Sequence, residues 1–191
     1  MSRRYLLWIV SIFAIAAILL KVTHCSYAQL SESLTMESIT KKILSKFTKV
    51  QHITTADLAK ELKQADSASS ILLIDSRAPE EFAISHLPNS RNLQTAKEVQ
   101  TYLATLSEKP QRIVIYCSVG YRSADLAEKV IKNKDNDIPV QNLLGSIFSW
   151  ANEGRPLVKQ DQGKDSPTDQ VHPFNKKWGR LLKPEHRADL D

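Results

Sequence analysis

Cys117, Gly120 and Arg122 lie within one short stretch, Tyr116-Cys117-Ser118-Val119-Gly120-Tyr121-Arg122-Ser123. A thiol, a residue free to take a backbone conformation that others resist, and a permanent cation together suit a nucleophilic thiolate. Ile113-Val114-Ile115-Tyr116 runs apolar into the cysteine, and a helical pattern begins near Ser123. The sulfur is therefore expected where a buried strand ends and a helix begins. Backbone N–H groups of a tight loop and a first helical turn have no intrahelical partner, so they form a concave anion nest. The helix dipole, about half a positive charge at its start, and Arg122 both favour thiolate over thiol. Cys25, beside the apolar N-terminal segment, is the only other cysteine. No disulfide framework is indicated, and Cys117 reads as a free thiol. Position alone fits an inert buried cysteine at a strand end equally well; Gly120 and Arg122 favour the reactive reading.

A second continuous apolar run, Ile71-Leu72-Leu73-Ile74, ends at Asp75 with Arg77 close behind. Two such runs are how strands buried on both faces of a parallel sheet read. Between and around them the chain alternates. Gln51–Ile53 reads as a strand, and Thr54 is an N-cap, with Asp57 three residues on, for a helix through Leu58 and Leu62. Pro79 starts a helical turn through Phe82, a short extended piece falls near Ser90-Arg91-Asn92, and Lys97 to Leu106 is helical. Ser123 to Asn133 is expected as a helix, Val140–Leu143 as a third apolar strand, and Ser146–Asn152 as a short helix stopped by Gly154. Alternation of this kind predicts an α/β fold in three layers, a parallel sheet covered by helices on both faces. Met36, Ile39, Ile43, Leu44 and Phe47 mark one face of a helix upstream. Lys159 to Ser166 reads as a polar loop, and His172 to Asp191 as a basic tail with Phe174, Trp178, Leu181 and Leu182 as apolar contacts.

The chain has 191 residues, 42% hydrophobic and 25% charged, which is enough for one full core plus extensions. Its formal net charge is +5, but the basic residues are spread over helical faces and the tail rather than gathered with aromatics, so nucleic acid is not an indicated partner. Arg3 and Arg4 precede an apolar run from Tyr5 to Leu20 that Lys21 ends. That is the charge arrangement of an uncleaved membrane anchor or of a cleaved export signal. The run is short for a span of on the order of 20 residues and long for a signal core, so its length does not decide between them. Either way the remaining chain is expected outside the cytoplasm, with the membrane as a partner in the anchored case. The expected division is an anchor or signal over 1–28, a helical linker over 29–50, a domain over 51–158 and a basic extension over 159–191.

The stretch from Tyr116 to Ser123 resembles the active-site loop of rhodanese-like domains. Three further segments resemble that family in the same order: Leu73-Ile74-Asp75-Ser76-Arg77 with Glu80-Glu81-Phe82, then His86-Leu87-Pro88, then Val140 to Ile147 with Trp150. The resemblance covers roughly Gln51 to Val158. Ser85 and Asn89 stand where the family usually has glycines, and Ser90 where it has alanine. Ser118 stands where an arginine often follows the cysteine, which makes the pocket mouth less basic and bears on preference for a dianionic donor such as thiosulfate. The resemblance implies a rhodanese-like fold with a central parallel sheet of about five strands, and no cofactor. It implies a sulfurtransferase in which Cys117 takes a sulfane sulfur, holds it as a persulfide and passes it to cyanide or a thiol. Ser118, Val119, Gly120, Tyr121, Arg122 and Ser123 would then form the substrate-binding loop. Asp75 and Arg77 would be a supporting pair that fixes the neighbouring strand end.

Cysteine phosphatases use the same nest but need one more residue between cysteine and arginine to wrap a phosphoryl group; four separate them here. The stronger rival is a sulfur-carrying, thiol-sensing or docking module with negligible turnover. Neither cysteine has a second thiol or histidine at metal-ligand spacing in the folded region, so no metal site is indicated. His86 and His172 are read as surface or loop residues. The sequence identifies no protein partner.

Overall fold

The computed structural model describes residues 34–64, 70–132, 137–161 and 163–189. Thr35–Asp191 forms one compact unit. The expected anchor or signal over 1–28, and Cys25 with it, lie outside the described residues. Among the described residues no helix is long and apolar enough to cross a membrane.

Five strands, β1 (Gln51–Ile53), β2 (Ile71–Asp75), β3 (Arg91–Asn92), β4 (Arg112–Tyr116) and β5 (Val140–Leu143), form a sheet in the order β1-β5-β4-β2-β3. All four pairings are parallel, and the register sets Asp75 beside Tyr116 and Ile115 beside Asn142. Successive strand residues point to opposite faces, so the four consecutive buried residues Ile113–Tyr116 demand cover on both. Helices supply it. They are α1 (Met36–Lys46), α2 (Thr55–Leu62), α3 (Pro79–Ile84), α4 (Ala96–Thr105), α5 (Tyr121–Ile131) and α6 (Ser146–Asn152). α5 packs across β4 and β5 with α1 and α4 against it, while α2 packs against α6. The caps are local: Thr54 Oγ1 accepts from the Asp57 N–H at 3.1 Å, and Thr35 and Thr95 close capping boxes with Ser38 and Glu98.

Four features depart from expectation. The stretch expected as a linker holds α1, whose Ile39 and Ile43 are buried in the same compact unit as the sheet, while Leu44 of the expected apolar face is 45% exposed. α5 begins at Tyr121, so the end of the cysteine loop is already its first turn. Lys159 to Ser166 is not a loop but the body of an antiparallel hairpin, β6 (Leu157–Asp161) and β7 (Lys164–Thr168), with Gly163 at φ +79° between them. Its strands are polar and mostly exposed beyond Leu157 and Val158, and they carry Pro167, so no alternating apolar pattern marks them. Contacts distant in sequence hold it: His86 and Val158 exchange backbone hydrogen bonds at 2.8 and 3.0 Å. The tail folds back onto the unit through short 3₁₀ turns, Trp178–Leu181 and Pro184–His186, with Val171 and Leu182 buried. Asn89 takes φ 62°, a conformation Asn tolerates at a position where the related family uses glycine.

Candidate active site

Cys117 follows β4 at the C-terminal edge of the sheet and is 1% exposed. The Gly120 N–H at 3.2 Å and the Ser123 hydroxyl at 3.4 Å bond its sulfur, and the Arg122 guanidinium acts on it as well. Gly120 sits at φ +105°, and a Cβ there would lie 3.2 Å from both Ile43 Cδ1 and the Leu143 carbonyl oxygen. A side chain at this position would be strained by its conformation and crowded by both neighbours. The loop carbonyls turn the other way: the α6 amides of Ile147 and Phe148 donate to the Cys117 and Ser118 carbonyls at 3.1 Å each, and the Cys117 N–H donates to Ser146 Oγ at 3.1 Å. The start of α6 thereby anchors the loop, while the Gly120 N–H is turned to the sulfur.

Ser123 Oγ is also 2.6 Å from Asn142 Oδ1, and the Asn142 amide nitrogen donates to His52 Nδ1 at 3.2 Å. One hydroxyl proton serves both neighbours. It can be given to Asn142 or to the sulfur, but not to both at once. Burial holds the His52 imidazole below its usual pKa, against a raising contact with the Phe47 backbone, so His52 favours the neutral ring that accepts from Asn142. Neither Asn142 nor His52 stands out in the sequence; β1 and β5 pair side by side, and only that register brings them together.

Arg122 grips Glu81 of α3 with two hydrogen bonds, 2.8 and 2.9 Å, and donates to Ser118 Oγ at 2.9 Å; Ser118 in turn donates to Glu81 at 3.2 Å. Glu81 is 2% exposed. The sequence marked it only within the Glu80-Glu81-Phe82 segment that resembles the family, and its partner lies 41 positions away. Burial by itself would raise the Glu81 pKa, but Arg122, the Ala78 N–H and the charge of Arg77 together hold it below the usual carboxylate range. A carboxylate with a lowered folded pKa adds stability above its unfolded value and loses it as pH falls through the folded one. Wild-type stability is therefore expected to drop from about pH 4.3 downwards. Glu81→Gln is expected to flatten the profile in that window and to cost about 1–2 kcal/mol at neutral pH, discounted because Arg122 is half-exposed. Urea midpoints measured across roughly pH 3 to 7 check both.

Asp75 and Arg77 form a fully buried pair, the guanidinium donating to the carboxylate at 2.7 and 3.0 Å and the Arg77 N–H at 2.9 Å. Arg77 also donates to the Ser85 carbonyl, and Asn92 bridges the carbonyls of Asp75 and Arg77 at 3.0 and 2.8 Å. The pair ties the end of β2 to α3 and β3. It makes no recorded hydrogen bond to Cys117. Tyr121 stands on the other side, 40% exposed, edge-on to Phe47 at 5.3 Å and bonded to Lys46. His86 is buried rather than at the surface, stacked on Phe82 at 3.8 Å, and His172 accepts from the Phe174 N–H at 3.0 Å.

A cavity of about 330 Å³ opens on Cys117, and its lining is almost entirely apolar. Val119 and Tyr121 come from the loop, Ile39 and Lys42 from α1, and Phe174 and Trp178 from the C-terminal stretch. The Arg122 guanidinium lies 5.0 Å from the Phe174 ring centre. The sequence marks Phe174 and Trp178 as apolar contacts of the tail, but not what they contact. A larger cavity, about 430 Å³ around Ile71, Leu73 and Trp150, contains no Cys117 and no residue of its loop.

Comparison with known proteins follows the same lines. A family model described as rhodanese-like domain matches residues 55–153. A sulfurtransferase of Allochromatium vinosum is 29% identical over 109 residues, 57% of this chain and 95% of its own length. The adenylyltransferase and sulfurtransferase UBA4 of Candida albicans is 32% identical over 88 residues, 43% of this chain, and the match spans one fifth of that relative's length. Among solved structures, the As-Sb reductase from Leishmania major superimposes with a TM-score of 0.52 at 21% identity, covering 62% of this chain and 92% of that one. That likeness is one of fold.

Proposed function

From the premise that this chain belongs to the rhodanese-like domain family, we propose that it is a sulfurtransferase in which Cys117 carries a sulfane sulfur as a persulfide. The observation that carries the reading is the buried Cys117 sulfur held 3.2 Å from the Gly120 N–H beneath a cavity large enough for a small substrate. The Cys117 thiolate attacks the outer sulfur of a donor, whose remaining group leaves with the electrons of the broken bond. The charge of the persulfide then falls where the loop donors already point, which requires no rearrangement as it forms. Cyanide or an acceptor thiol removes the sulfur in a second step. Arg122, held by Glu81 and Ser118, acts as a positioning residue that keeps the loop in this form. Asp75 and Arg77 support the neighbouring strand end. The sulfurtransferase names of two relatives support this chemistry in general.

Intact-mass spectrometry of the purified protein after exposure to sulfane donors tests the reading. A gain of one sulfur, mapped to Cys117 and lost on adding an acceptor thiol, is the expected result. Failure of every sulfane donor to add mass would replace transfer with a docking or sensing role. The N-terminal reading, an anchor or export signal that puts the domain outside the cytoplasm, is carried by Arg3, Arg4 and the Tyr5 to Leu20 run alone.

A further inference from the structure

The lining of the Cys117 cavity says which kind of donor belongs there. Two cations border it, Lys42 and Arg122. Arg122 acts on the Cys117 sulfur by charge but is also held by the buried Glu81 carboxylate, which offsets part of that charge. Lys42 lies on the exposed side of α1, where water and salt screen it. Ser118 occupies the position next to the sulfur and turns its hydroxyl to Glu81 and Arg122. The rest is Ile39, Val119, Tyr121, Phe174 and Trp178. An inorganic dianion entering here would give up its hydration for carbon surface, which is unfavourable without matched donors.

Phe174 supplies a second, independent observation. It is 46% exposed and sits at φ 64°, a conformation that a bulky side chain adopts only when its surroundings impose it. Those surroundings are present. The Phe174 N–H is held by His172 Nδ1, and the Asn175 side chain accepts from the Lys177 and Trp178 N–H groups at 3.0 and 3.1 Å. Gly179 packs so tightly on Pro173 that a Cβ would lie 2.7 Å from its ring. A strained, half-exposed aromatic on the wall of the Cys117 cavity, 5.0 Å from the Arg122 guanidinium, is more than core packing requires.

On the basis of the sulfur-transfer reading, we infer that the cavity takes the organic group of an apolar thiol, which arrives as its hydropersulfide, R–S–SH, with an aromatic or branched aliphatic R. The Cys117 thiolate attacks the terminal sulfur. The new bond from Cys117 forms as the donor's S–S bond breaks, R–S⁻ leaves with that electron pair, and the transferred sulfur keeps its proton as Cys117–S–SH. R lies against Ile39, Phe174 and Trp178, and the volume of about 330 Å³ is at the small end of ligand sites, which run to roughly 300–1,000 Å³.

The test loads the full chain with benzyl hydropersulfide, cysteine hydropersulfide or thiosulfate and follows sulfur on Cys117 by mass, each rate divided by that donor's rate with free glutathione. Benzyl hydropersulfide is expected to load at least about tenfold faster than the two polar donors. That advantage is expected to shrink severalfold in both Phe174→Ala and Trp178→Ala, two variants at separate wall positions. Saturable binding of phenylmethanethiol to Cys117→Ser, weakened by Phe174→Ala, is the second expected result. Equal loading by all three donors overturns this inference and leaves sulfur transfer standing. Absence of saturable phenylmethanethiol binding overturns it as well. Loading by none of them overturns the sulfur-transfer reading itself, and this inference with it.

Discussion

Cys117→Ser is expected to lower sulfane transfer to the acceptor by roughly 10³-fold or more, to the uncatalysed background. Serine keeps the shape of the buried side chain and leaves the Gly120 N–H an acceptor in place of the sulfur it bonds at 3.2 Å. The loop should therefore keep its conformation, and the loss reports chemistry. An un-ionised hydroxyl is a poor nucleophile toward sulfane sulfur and cannot store it as a disulfide-like bond. Cys117→Ala, by contrast, deprives a buried donor of its partner and mixes chemistry with destabilisation. The measurement is steady-state transfer with the donor that loads the wild type fastest, alongside thermal unfolding of both proteins. Wild-type transfer by Cys117→Ser would dispose of the persulfide mechanism.

The second large effect lies away from the sulfur. Asp75→Asn is expected to destabilise the fold by about 3–5 kcal/mol, because it leaves the Arg77 guanidinium as an uncompensated buried charge. Both side chains are fully buried, and Arg77 Nη1 has no hydrogen-bond partner among the described residues, so the Asp75 carboxylate supplies most of the compensation. Net stabilities of single domains are on the order of 5–15 kcal/mol, so much of the margin would go. With a urea slope of about 2 kcal/mol/M, the midpoint should fall by about 2 M. A double variant, Asp75→Leu with Arg77→Met, removes both charges and is expected to recover much of the loss. A fall of less than about 1 kcal/mol in the single variant would mean that water or a neighbouring carboxylate solvates Arg77. Glu81 is the neighbour to suspect, since it already feels the Arg77 charge.

What could be read along the chain divides cleanly from what could not. Ile71 to Asp75 and Ile113 to Tyr116 are legible as doubly covered strands because burial on both faces forces an unbroken apolar run. The Thr54 cap is legible because it is completed within three residues. So is the cysteine loop, where Cys117, Gly120 and Arg122 act on one another over a single turn. Each of these depends on interactions between near neighbours, which local sequence records directly.

The rest depends on which distant segments meet. The β6–β7 hairpin carries polar, exposed strands and depends on His86, so its own residues give no strand signal. Arg122 was an evident cation, but whether it faces a donor, the loop carbonyls or a carboxylate was decided when α3 placed Glu81 against it. Asn142 and His52 reach the sulfur's neighbour Ser123 only because β5 lies between β4 and β1. Phe174 and Trp178 become a wall only because the tail folds back over α1 and the loop. The candidate cysteine and its loop could thus be named from short-range pattern alone. The residues that surround it came from tertiary packing, since parallel strands and returning tails pair residues that no sequence window contains.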